Sequence, residues 1–168
     1  TLGPSFSFNT DDIMISSDLG LSDKKYNYSI EAGFAFRPSA TRVLKKENEL
    51  LYYQYWERRF LFYLGLEKRF KIYESYDNLH TGPAIGLKEI YTFGNYRGTD
   101  RKPKASFIFV PKIGWYVGND IFTLKLNYER MNFDIPEFDA GRLTFGITFN
   151  IPLNKRSFID KQIEWLSN

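Results

Sequence analysis

The chain has 168 residues, 43% hydrophobic and 26% charged, with a formal net charge of +3. That length allows one domain with its own core. The balance excludes a disordered chain, and so small a charge gives no ground for a nucleic-acid partner. Cysteine is absent and histidine occurs once, which leaves no disulfide framework, no thiol chemistry and no basis for a metal site. The marked bias is aromatic, with 16 Phe, 12 Tyr and 3 Trp, residues that favour strands, interfaces and membrane belts.

Taken in chain order, the sequence reads as eight strands. They are Leu2–Phe8, Ile13–Ser22, Tyr26–Arg37, Tyr52–Ile72, Pro83–Phe93, Ala105–Val117, Ile121–Asn132 and Arg142–Ile151. Each alternates a large apolar residue with a small or polar one, the period at which side chains leave opposite faces of a sheet. No run approaches the roughly 18 apolar residues of a spanning helix. No signal peptide is visible, and because the strand pattern begins at Thr1, we expect a segment upstream that was cleaved or left out. Ser22–Lys25 and Gly118-Asn119-Asp120 read as tight polar turns. Pro38–Leu51, Gly94–Lys104 and Phe133–Gly141 read as long loops. Tight turns at one end and long loops at the other mark an outer-membrane barrel. Asn9–Asp12 is short for the long-loop end and Tyr73–Gly82 long for the turn end. Beyond the last strand, Ser157 with Asp160 suggests a helix cap. Ile159, Ile163 and Leu166 recur at helical spacing. A short amphipathic helix is expected over 157–166, lying on a membrane interface or on the barrel rim.

Alternation alone does not say which face points outward. One parity carries most of the rings, among them Phe34, Phe62, Phe107, Phe109, Trp115 and Phe145. An eight-stranded barrel is only just wide enough to be filled by side chains, so this many rings would overfill it. The other parity carries seven of the twelve glycines: Gly3, Gly20, Gly33, Gly65, Gly86, Gly114 and Gly146. It also carries Asp18, Glu31, Glu57, Arg59, Glu67, Arg69, Lys71, Lys88, Lys112, Lys125, Glu129 and Arg142. Glycine makes room in a narrow lumen, and mixed buried charges require partners. The reading is therefore rings outward and a paired charge network inward, with solvated charges on a soluble lipocalin-like barrel as the alternative. Two outward charges, Lys68 and Glu89, are expected near an interface, where their cost is small. Pro111, inside the sixth strand, is expected to cause a bulge or irregular pairing.

These features make residues 1–151 resemble the small eight-stranded outer-membrane β-barrel family, including its PorT-like members. The resemblance implies an all-β, antiparallel, up-and-down transmembrane barrel in the bacterial outer membrane, here with a short C-terminal amphipathic helix. It also implies an assembly signal in the last strand, whose places are held by Thr144, Gly146, Phe149 and Ile151. Ile151 stands where the family more often has a final aromatic, and seventeen residues follow it. Related barrel enzymes that process lipid A use a His with a Ser at the rim. The single His80 has no evident Ser partner and reads as a turn residue. Glu57/Arg59 and Glu67/Arg69 read as a structural ion network, not an acid–base pair.

The expectation is a non-enzymatic barrel with a filled lumen over residues 1–153 and a periplasmic helical tail over 154–168, with no cofactor. It would be an anchoring or accessory subunit of a larger outer-membrane assembly, the alternative being a lipid-modifying barrel enzyme. Its partners would be outer-membrane lipids, other outer-membrane or periplasmic proteins and, through Arg97, Arg101, Lys102 and Lys104, lipopolysaccharide phosphates. Phe158, Ile159, Ile163, Trp165 and Leu166 are the candidate tail contacts.

Overall fold

The computed structural model describes residues 1–23, 26–48, 51–75, 78–97, 105–132 and 139–151. These form strands β1 (Leu2–Phe8), β2 (Ile13–Asp23), β3 (Tyr28–Phe36), β4 (Thr41–Asn48) and β5 (Leu51–Arg69). The rest are β6 (Tyr73–Glu74), β7 (His80–Arg97), β8 (Ser106–Gly118), β9 (Phe122–Arg130) and β10 (Gly141–Phe149). β4 extends the line of β3, because β5 pairs with β3 up to Phe36↔Phe60 and with β4 from Thr41↔Glu57. β6 extends β5 in the same way, resuming the pairing with β7 at Tyr73↔Thr81. The ten segments thus make eight staves, every neighbour antiparallel, closed by β1 on β10 and by β5 on β7. Among the described residues there is no helix.

Closure gives each of the eight staves a partner on both sides, which an open sheet in an apolar medium cannot do. It also sets a tilt. From Phe6 the paired residues run through Ile15, Phe36 and Phe60 to Phe93. The other way they run through Phe145, Leu126 and Trp115 to Pro83. The two paths meet β7 ten residues apart, a stagger that tilts the strands of an eight-stave ring by about 40°.

Tight turns close one end. Asn119 Oδ1 accepts from the backbone N–H of Ile121 and Phe122, at 2.8 and 2.9 Å, and Asn27 takes the left-handed φ of 56° that asparagine tolerates. At the far end, Asn9 Oδ1 accepts from Asp11 and Asp12 at 2.9 Å, an Asx turn between β1 and β2.

Three expectations on the strands change. The expected loop 38–51 contains β4, so β3/β4 and β5 form a hairpin reaching past the ring. The expected turn 73–82 is shorter, with β6 and β7 pairing up to Glu74↔His80, which places His80 on a strand. Pro111 causes no bulge toward β7, where Leu87↔Pro111 keeps register. Its pairing with β9 simply starts one residue later, at Lys112↔Glu129, so the missing N–H falls where that ladder ends.

Candidate functional site

The alternation becomes two surfaces. On β10 the burial pattern makes Leu143, Phe145 and Phe149 exposed and Arg142, Thr144, Gly146 and Thr148 buried. β1, β9 and most of β5 repeat it. Large apolar side chains therefore stand on the outer wall, and the inside is mostly polar around one apolar tier.

The inside is stacked in three tiers. Nearest the tight turns, the Lys112 ammonium contacts the Glu31 carboxylate and lies 2.7 Å from Glu67 Oε2. Lys125 bridges the same two acids at 3.2 Å each. Lys88 Nζ is 2.6 Å from Glu129 Oε1 and 4.0 Å from Glu31 Oε1. Arg69 Nε donates to Glu67 Oε1 at 2.8 Å. Asp18 lies half-buried on the same wall, opposite Gly3 and Gly33. Apart from Asp18, these are bases and acids from five staves, each charge facing its opposite, the arrangement that offsets the cost of burying them.

Above them sits an apolar tier of Met14, Ala35, Leu61, Tyr63, Ile90, Val110 and Met131, with Ile108 against it. The void between the two tiers is about 10 Å³, room for roughly one water. Toward the long-loop end, a third tier pairs Arg59 with the fully buried Glu57, and Arg59 Nη1 donates to Thr92 Oγ1 at 3.1 Å. Beside it, the Asp12 carboxylate is held between the guanidinium groups of Arg37 and Arg142, and Arg142 Nε donates to Ser7 Oγ at 3.2 Å.

The structure thus brings Glu31, Glu67, Lys88, Lys112, Lys125, Glu129 and Arg69 into one connected network, and places Glu57, Arg59 and Arg142 in a separate tier. Lys71 leaves the lumen and pairs with Glu74 at 2.7 Å on the exposed rim. Its hydrogen bond to Glu74 holds that carboxyl below the usual carboxylate range. Asp12 was missed because it sits in a turn, whereas Arg37 closes the expected third strand on the inward parity of Glu31 and Gly33, a spacing that could have found it. The available signal was the surplus of bases over acids on the inward parity.

Outside, two aromatic girdles bound the apolar wall. Near the tight turns stand Tyr26, Tyr28 and Trp115, with Lys68 Nζ 4.0 Å from the Tyr28 ring centre. Lys68 therefore lies at the rim. Toward the long loops, Phe34, Phe60, Phe62, Phe93, Tyr91 and Phe107 form a chain of ring contacts across β3, β5, β7 and β8, with centroids 5.0 to 6.2 Å apart. Glu89 departs from expectation. It is exposed in the middle of the wall, between Leu64 and Phe109 on the neighbouring staves, not at an edge.

The last-strand residues Thr144 and Gly146 point inward, Phe149 points outward, and Ile151 stands exposed just past β10. His80 Nδ1 lies 3.1 Å from the Asn78 carbonyl, its ring 5.8 Å from Tyr116. Among the described residues no three His, Cys, Asp or Glu side chains are placed to hold a metal. The tail residues Phe158, Ile159, Ile163, Trp165 and Leu166, and loop residues Arg101, Lys102 and Lys104, lie outside the described residues.

No family model matches the chain, and no curated protein does. Among solved structures it is similar to Ail, the attachment invasion locus protein of Yersinia pestis, in complex with the heparin analogue sucrose octasulfate. The identity is 11%, over 88% of this chain and 94% of that chain, at a TM-score of 0.45.

Proposed function

We propose that this chain is a bacterial outer-membrane β-barrel, of the small eight-stranded kind that includes the PorT-like proteins, and that it works without an enzymatic centre. The observation that carries the reading is the direction of the two faces: an apolar wall between aromatic girdles outside, and a closed, mutually paired charge network inside. In water that arrangement wastes its oily face and buries its charges. In a bilayer it is the stable one.

Among the described residues three tiers of side chains fill the lumen, and the void of about 10 Å³ between two of them is too small for a substrate. The work of such a barrel falls to its surfaces. We assign it an anchoring or accessory role in a larger outer-membrane assembly, with lipids on the wall and lipopolysaccharide phosphates near the basic loop 97–104. Residues 1–153 form the anchor, and 154–168 form a periplasmic tail that holds a partner.

Fractionation followed by gel mobility with and without boiling tests the location. The expected result is a detergent-requiring band whose mobility changes on heating; a protein soluble without detergent overturns it. In planar bilayers the purified barrel should show no stepwise conductance, and regular open-channel steps would contradict the sealed lumen. Deleting residues 154–168 should release a co-purifying partner while the band stays heat-modifiable. Unchanged co-purification removes the tail from the proposal.

A further inference from the structure

Two charges stand on the outer wall, Glu89 within its stave and Arg130 at the end of its own, and both flank the same stave. Glu89 on β7 is opposite Phe109 of β8. Arg130, the last residue of β9, follows Glu129, which pairs with Lys112 of β8. Arg130 thus lies beside Pro111, two residues along β8 from Phe109. Both side chains are exposed, and neither has a partner among the described residues. Ionisable groups at such a depth are costly against lipid.

The barrel geometry puts them level. The line of pairing descends from Phe6 on β1 through β10, β9 and β8 to Pro83 on β7, so crossing back from β7 to β9 climbs. At a tilt of about 40° and a strand spacing of about 4.8 Å, the climb over two staves is roughly 6 Å. The two-residue step down β8 descends roughly 5 Å. Glu89 and Arg130 therefore stand at nearly one depth, about 10 Å apart across β8. Between their columns project Phe107 and Phe109, 68% and 65% exposed and among the most prominent side chains on the molecule.

We propose that the β7–β8–β9 wall is a homodimer interface within the membrane, in which Glu89 of each copy pairs with Arg130 of the other around a core of Phe107 and Phe109. A two-fold axis along the membrane normal, beside β8, keeps depth unchanged and exchanges left for right. It sets β7 of one copy against β9 of the other, so an acid and a base at equal depth on either side of β8 meet their opposites twice. A second copy of this chain satisfies both charges at once, whereas an unrelated partner would need to supply a complementary acid and base at the same spacing. The inference rests on the membrane reading, since in water both charges would simply be solvated.

The test uses the full chain in lipid vesicles, with self-association read by energy transfer between labelled copies and folding read by heat-modifiable mobility. Wild-type protein should associate, and E89R and R130E should each fold and lose at least tenfold in self-association. Mixing E89R with R130E should restore it, because the mixed pair regains both contacts. An ion pair within one chain cannot be rescued by mixing. Should a reversed charge block insertion, E89Q and R130Q are compared instead and should each weaken association at least fivefold. A heat-modifiable wild type that stays monomeric, variants that associate as wild type does, or a mixture that stays monomeric overturns the dimer and leaves the barrel reading standing. A water-soluble wild type overturns both.

Discussion

Lys112 shows what holds the lumen together. Its ammonium serves Glu31 and Glu67, both buried and both shared with Lys125. Replacing Lys112 with Met leaves two acids with one base fewer, so the variant should lose about 3 kcal/mol, read by urea unfolding in lipid vesicles. Lys71→Met, at the exposed pair with Glu74, should leave the same midpoint unchanged. Gly33 shows the steric side. The Tyr63 ring of β5 lies across it, and a Cβ there would run into that ring and the Ser17 carbonyl. Gly33→Ala should therefore cost about 2 kcal/mol in the same assay, and an unchanged midpoint would show that the ring can move aside. The glycines and charges of the inward parity were legible from spacing alone. Asp12, which joins Arg37 to Arg142, was not, because a turn residue has no parity to read.

At the scale of elements, the strands with an apolar face were recovered to within a few residues, since burial of one face fixes register. β4 was not. Its sequence, Thr41-Arg42-Val43-Leu44-Lys45-Lys46-Glu47-Asn48, lacks the alternation, because its pairing with β5 extends past the ring, where no apolar medium selects it. The length of β5, 19 residues against the roughly 9–11 needed to cross a bilayer, has the same cause. Pro111 was read as a defect from its residue type, but its ladder toward β9 ends beside it. Pro111→Ala should accordingly change unfolding stability by less than about 1 kcal/mol. A proline at Leu124, within the β8–β9 and β9–β10 ladders, should cost about 3 kcal/mol or more. Equal effects at the two sites would show that the ladder end does not protect Pro111.

For the whole molecule, the sense of the barrel decides everything else. Volume gave that sense from the sequence: too many rings for the inside, and one glycine on almost every inward-facing strand. What volume could not give is the level of each group along the axis, which follows only from stagger and tilt. Hence Glu89, expected at a rim, stands at mid-wall, and the pairing of its depth with that of Arg130 came from the register. The chain has no cysteine, so single cysteines placed along β10 report the two faces directly. With a fluorophore at each of positions 143 to 149 and brominated lipid as quencher, the account predicts strong quenching at 143, 145, 147 and 149. It predicts weak quenching at 144, 146 and 148. Quenching that is uniform, reversed in phase or absent at every position would contradict an apolar wall facing lipid around a sealed polar lumen.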